Sequence, residues 1–144
     1  MKVKELRIGN YVGYNSIYGC VTGIYISLDN GMPRLDGMPN KDIGYIEFGY
    51  GNIIHPKDIE FLDINNEWLL KLGFLKDSDR DSYYIDIEDG YNKFDLMWFN
   101  SSIYLKSRYD MENLHVQMIP HIKYVHQLQN LFFTLSSKEL TRKS

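Results

Sequence analysis

A chain of 144 residues, 44% hydrophobic and 24% charged, is long enough for one compact unit or two small ones sharing a core. Its net charge of −3 excludes a surface that is basic throughout and built for phosphate, and its single cysteine, Cys20, excludes an intramolecular disulfide or a cysteine-based zinc cluster. Twelve tyrosines, seven phenylalanines and two tryptophans favour strands and half-buried surfaces. No apolar run approaches membrane-spanning length, and Met1-Lys2-Val3-Lys4-Glu5 is not followed by the apolar stretch of a secretory signal. The expected compartment is the cytoplasm.

Residues 1–62 read as an all-β unit. Leu6 to Val12 predicts a strand interrupted by a Gly9-Asn10 turn or bulge. Gly19 to Leu28 predicts a second, with Val21, Gly23, Tyr25 and Ser27 on one side. Asp29-Asn30-Gly31, Pro33, Gly37 and Pro39 mark a turn and an irregular loop through 29–42. Ile43 to Tyr50 alternates again, Gly49-Tyr50-Gly51-Asn52 turns, and Ile53 to Leu62 ends the unit. Four or five short strands with glycine-rich turns suit a small SH3-like β-barrel. Cys20 falls inside a strand-like run and is expected to be a buried structural thiol.

Residues 63–144 read as a linking helix, an antiparallel sheet and a C-terminal helix, the whole chain being α+β. Asn65 is the expected N-cap, Ile64 and Leu69 form a hydrophobic staple, Trp68, Leu69 and Leu72 are the buried face, and Gly73 is the residue past the end. Lys76 to Ser82 reads as a polar loop or hairpin turn. Tyr83 to Glu88 alternates apolar and acidic after Tyr84, and Asp89-Gly90 signals a hairpin. Phe94 to Tyr104 carries Leu96, Met97, Trp98 and Phe99 and turns at Asn100-Ser101-Ser102; Leu114 to Ile119 is a last strand before Pro120. Val125, Leu128, Phe132 and Leu135 recur at the spacing of one helix face, widened by Ile122 and Leu131, with Lys123, Gln127, Gln129 and Asn130 largely off it. One further turn capped by Ser137 and a frayed Thr141 to Ser144 complete the expectation.

Glu5-Leu6-Arg7-Ile8-Gly9-Asn10-Tyr11-Val12 at one end, Ile122 to Leu140 at the other, and Asn66 to Phe74 between them follow one pattern. Together they resemble small uncharacterised proteins of phages, prophages and mobile elements of Bacteroides-like bacteria. The loop at 29–42 and the polar stretch at 76–82 lie outside that pattern. The resemblance implies no activity and no catalytic residues; it implies a mobile-element accessory protein in a bacterial cytoplasm.

The residues themselves carry little chemistry. His55, His115, His121 and His126 offer no HExxH-type spacing, and His121 and His126 are not stacked as an i,i+4 pair would be. Asp77, Asp79 and Asp81 alternate as in a calcium loop with Glu88 at the last position, but Ser82 stands where the EF-hand needs glycine. A solvated turn is the expected reading, and no metal and no cofactor are expected. Asp86 and Glu88 fall on one solvent face of their strand. Gly49-Tyr50-Gly51-Asn52 lacks the helix of a phosphate cradle, and Ser136-Ser137-Lys138 lacks the context of a Ser–Lys nucleophile.

The function expected from the residues is therefore non-enzymatic protein binding, and the mobile-element context that the resemblance implies points to a host protein as partner and counter-defence, anti-CRISPR-like or similar, as the role. The candidate contact residues are Tyr11, Tyr14, Tyr18, Tyr25, Tyr45, Tyr50, Tyr84, Asp86 and Glu88. Tyrosines serve protein interfaces, and an acidic chain is steered toward basic protein surfaces. The alternatives are a nucleic-acid-binding accessory domain, in which Lys4, Arg7 and nearby tyrosines stack on bases, and a sponge for a small signalling molecule.

Overall fold

The computed structural model describes residues 5–26, 43–49, 51–89, 92–107 and 116–143. The chain divides into two compact units, Met1–Leu62 and Asp63–Ser144.

The first unit is an antiparallel sheet of β1 (Tyr11–Tyr14), β2 (Ile17–Ile26), β3 (Ile43–Phe48) and β4 (Asn52–Ile54), in that order. β1 begins later than the Leu6 to Val12 pattern predicts. The buried Asn10 side chain accepts from the Arg7 amide at 2.7 Å, holding the residues before it in a turn. Asn15 and Ser16 both take positive φ between β1 and β2, the geometry of a two-residue hairpin that matches strand twist. The predicted alternation along β2 breaks where its register with β3 shifts between Val21 and Gly23, so that Val21 and Ile24, three positions apart, both pack on the core.

Val12, Val21, Ile46, Phe48, Ile54 and Ile59 form the core. Gly19 lies beside Phe48: a Cβ there would stand 2.7 Å from the ring, so glycine makes room for the aromatic. After β4 a single 3-10 turn, Pro56–Asp58, carries the chain to a bridge in which Gly13 and Glu60 exchange both backbone hydrogen bonds, at 2.8 and 2.9 Å. The expected barrel is nonetheless not what forms. The described strands make an open four-stranded sheet with one added bridge, because the segment after the turn pairs with β1 at one residue only.

The second unit opens with α1 (Asn66–Lys71), whose Asn65 cap accepts from the Trp68 amide at 2.9 Å. Ile64 and Leu69 are both buried across the cap, and Gly73 adopts φ +91° after the last turn. Five antiparallel strands follow in sequential order: β5 (Leu75–Asp77), β6 (Ser82–Asp89), β7 (Asn92–Phe99), β8 (Ser102–Ser107) and β9 (Val116–Ile119). Lys76 and Asp77 are thus strand rather than loop, and the polar turn is confined to 78–81. Asn100 and Ser101, both at positive φ, close the β7–β8 hairpin. Leu114 and His115 lie outside the described residues.

α2 (Val125–Ser136) buries Val125, Leu128 and Phe132 on the side of the sheet that presents Tyr83, Ile87, Leu96 and Ile103. Its N-terminus is closed by the Gln127 side chain, whose Oε1 accepts from Lys123 and Tyr124 at 2.9 and 3.1 Å, so Ile122 precedes the helix rather than widening its face. Gln129 is not on the solvent side: it is fully buried and donates to the Leu140 carbonyl at 2.9 Å. His126 is buried as well, stacked on Tyr124 with ring centroids 5.8 Å apart. No further helical turn follows. Ser137 turns into the left-handed region at φ 57°, Leu140 packs inside, and the Lys143 amide donates to the Lys71 carbonyl at 2.6 Å, so this tail is tied down rather than frayed.

Candidate interaction face

The candidate contact residues separate by face. In the first hairpin Val12 and Tyr14 look into the core, where Tyr14 meets Phe48 edge to face at 6.2 Å. Tyr14 is therefore a packing residue. Tyr11 and Tyr18 stand diagonally on the opposite side of the hairpin, both half-buried, because Tyr11 pairs with Cys20 and Tyr18 with Gly13. Cys20 is half-buried there, and its thiol faces the Val21 carbonyl at 3.7 Å. Tyr25 and Tyr45 are register partners across β2 and β3, but their side chains lie outside what the structure describes, as does the whole of Tyr50.

In the second unit the register places Tyr84, Asp86 and Glu88 together. They share the face of β6 opposite Tyr83 and Ile87, hence opposite α2. The pairing continues from strand to strand. Leu75 of β5 faces Tyr84, Tyr84 faces Met97, Met97 faces Tyr104, and Tyr104 faces Met118 of β9. One apolar and aromatic row thus crosses all five strands on the side away from the helix. With strands spaced by about 4.8 Å it is roughly 19 Å long. Leu75 and Met118, its two ends, are 58% and 53% exposed, and the three middle residues are half-buried. Phe99 and Val116 add exposed apolar surface in the neighbouring rows.

Charge surrounds the row. On one side Asp86 faces Asp95 and Asp95 faces Lys106; beyond them Glu88 lies 4.0 Å from Lys93 in an exposed ion pair. On the other side stand Asp77 and the turn residues Asp79, Arg80 and Asp81. Among the described residues, the rows directly beside the apolar row thus carry Asp77, Asp86 and Asp95 with Lys106. Lys76 stands at the edge of this face, with its ammonium 5.9 Å from the centroid of the Tyr83 ring. An open trough of about 340 Å³ runs along this face beside Tyr84 and Met97, and its charged walls are Lys76, Arg80 and Lys106 together with Asp77 and Asp95.

No protein-family model, no curated protein and no solved structure matches this chain. The face therefore has to be read on its own chemistry. The Asp79 amide donates to Asp77 Oδ1 at 3.0 Å, which makes the acidic stretch a self-bonded turn. Among the described residues no group of three or more histidine, cysteine, aspartate or glutamate side chains is arranged to hold a metal ion. No described helix is long and apolar enough to cross a membrane.

Met97, Tyr104, Met118 and Leu75 were not singled out by sequence reasoning. The signal was present in Leu96-Met97-Trp98-Phe99 and Ile103-Tyr104-Leu105, which are apolar at successive positions. A strand buried on one side needs apolar residues only at every second position.

Proposed function

We propose that this chain is a non-enzymatic protein-interaction protein and that the helix-free face of its second sheet is the surface it uses. The observation that carries the reading is the apolar row Leu75–Tyr84–Met97–Tyr104–Met118 left facing water. Tyrosine and methionine are enriched at protein interfaces, and an apolar patch rimmed by polar groups marks a contact site. Two of the side chains beside or within it, Tyr84 and Asp86, are among those the sequence points to. The resemblance of the terminal segments to mobile-element proteins supports a host protein as the partner and counter-defence as the role.

Protein is favoured over nucleic acid by the local charge. Nucleic-acid interfaces are strongly positive, whereas among the described residues the rows directly beside the apolar row carry Asp77, Asp86 and Asp95 against Lys106. The test is affinity capture from a bacterial host by the parent chain and by Met118→Asp and Tyr104→Asp, followed by reconstitution with the purified partner. A host protein that binds the parent directly and loses affinity with both variants supports the reading. Direct binding that is indifferent to both variants, or capture of nucleic acid alone, overturns it.

A further inference from the structure

The geometry points to one class of occupant for this face: we infer that it receives a basic amphipathic helix of the partner protein. The inference rests on the reading of the face as a protein-binding surface and adds the chemistry of what binds. Three observations on the face converge.

The first is size. The face is roughly 19 Å across the strands and, from Ser82 to Glu88, about 20 Å along them, a projected area of about 400 Å². A standard interface buries about 800 Å² on each partner, so the face suits a single segment better than a globular surface.

The second is direction. The apolar side chains form a line perpendicular to the strands, with successive members on adjacent strands about 4.8 Å apart. An added β-strand would run parallel to the existing ones at an edge and would not cover such a line. A helix laid along it has a pitch of about 5.4 Å, so successive turns meet successive strands, and roughly 13 residues span the row. Its apolar contacts would recur at the three-and-four spacing of one helix face.

The third is charge. Among the described residues, the rows directly beside the line present Asp86, Asp95 and Lys106 on one side and Asp77 on the other, three carboxylates to one cation. Carboxylates directly opposite across strands, as Asp86 and Asp95 are, repel each other. A lysine or arginine flanking the apolar stripe of the incoming helix meets this excess of carboxylates favourably. Such cations also approach the faces of Tyr84 and Tyr104, where a cation–π contact is available. An acidic helix meets the same carboxylates as a penalty.

The experiment titrates the full-length, isotope-labelled chain with two synthetic helical peptides, and with a short DNA duplex. The peptides share one leucine stripe and differ only in flanking lysine or glutamate. The lysine peptide is expected to bind with a Kd of about 10–100 μM, in keeping with the small area. Amide shifts should concentrate at residues 75, 84, 97, 104 and 118. Asp86→Asn with Asp95→Asn should weaken it about fivefold or more, and that difference should vanish in about 1 M salt, where screening acts within about 3 Å. Leu75→Asp and Met118→Asp, at exposed positions that folding does not depend on, should displace the shifts from the row. Equal binding of the glutamate peptide, shifts mapping elsewhere, indifference to the asparagine pair, or tighter binding of the duplex each overturns the inference. The two readings fail separately. A host partner that is lost with Met118→Asp and Tyr104→Asp but is not displaced by the lysine peptide keeps the interaction face and removes the basic helix.

Discussion

Replacing Gln129 with leucine asks how the end of the chain is held. Gln129 is fully buried in α2, and its side-chain amide donates to the Leu140 carbonyl at 2.9 Å. Leu140 is itself buried and lies beyond the helix, so this bond ties a non-helical tail to the middle of the helix. Leucine has nearly the volume of glutamine, and the substitution therefore removes hydrogen bonding with little loss of packing. A buried carbonyl deprived of its donor costs about 1–3 kcal/mol. The apolar side chain recovers part of this, leaving an expected loss of about 1–2 kcal/mol. Urea unfolding should show a lower midpoint at unchanged slope. A chain ending at Ser137 is the control: the Leu140 carbonyl is gone, and Gln129→Leu should be neutral or stabilising there. Equal losses in both backgrounds, or a change below about 0.3 kcal/mol in the full chain, would refute the tie between tail and helix.

Asn65→Ala should cost about 1 kcal/mol by leaving the Trp68 amide without its cap, read in the same urea assay, whereas Asn65→Ser should recover most of it. The Glu67 carboxyl is held below its ordinary value by its hydrogen bond with Lys71 and then by the charge of that ammonium. A group lowered in this way stabilises the fold above its unfolded value and ceases to do so as pH falls through the folded one. A carboxyl NMR titration should place its midpoint below that of a model glutamate, and Lys71→Met should return it to the ordinary range. Leu75→Asp and Met118→Asp should leave stability within about 0.5 kcal/mol of the parent, since both side chains face water. Titration with DNA or RNA at near-physiological salt should show no binding tighter than about 10 μM, which is weaker than specific recognition.

The helical parts of the chain were legible because their signals are local. Asn65, Gly73 and the spacing of Val125, Leu128 and Phe132 each act within a few residues. Gln129 was misread for the complementary reason. Its burial comes from Leu140, eleven positions along, which no helical periodicity reports. The turn at Asn100-Ser101 is read from the sequence, whereas the hairpin closed by Asn15-Ser16 lacks the glycine that marks such turns, and β5 is too short and too polar to read as a strand. The barrel expectation counted strands correctly in kind but not in closure, which depends on how far the segment after Pro56–Asp58 pairs with β1. Of the candidate contact residues, Tyr84, Asp86 and Glu88 are brought together by an alternation visible in the sequence. Their neighbours Met97, Tyr104 and Met118 are supplied by cross-strand register, which the sequence does not state.

A sheet covered on one side has no folding need for the row it shows to water. β6 follows the economy expected of such a strand, with Tyr83 and Ile87 inward and Asp86 and Glu88 outward. β7 and β8 depart from it, turning Met97, Phe99 and Tyr104 outward although Trp98, Leu96 and Ile103 already supply the core side. Polar or β-branched residues at those three positions would pair across strands about as well. An exposed apolar row also invites contact between copies of the chain. The carboxylates beside it oppose that outcome, because a second copy presents the same acidic rim. On the proposed reading, the same carboxylates that would oppose self-association and phosphate would attract a cation. On the proposed reading the apolar row and its border would act as one surface: the row would supply the contact area, and the carboxylates would favour a basic segment over nucleic acid or another copy of the same protein.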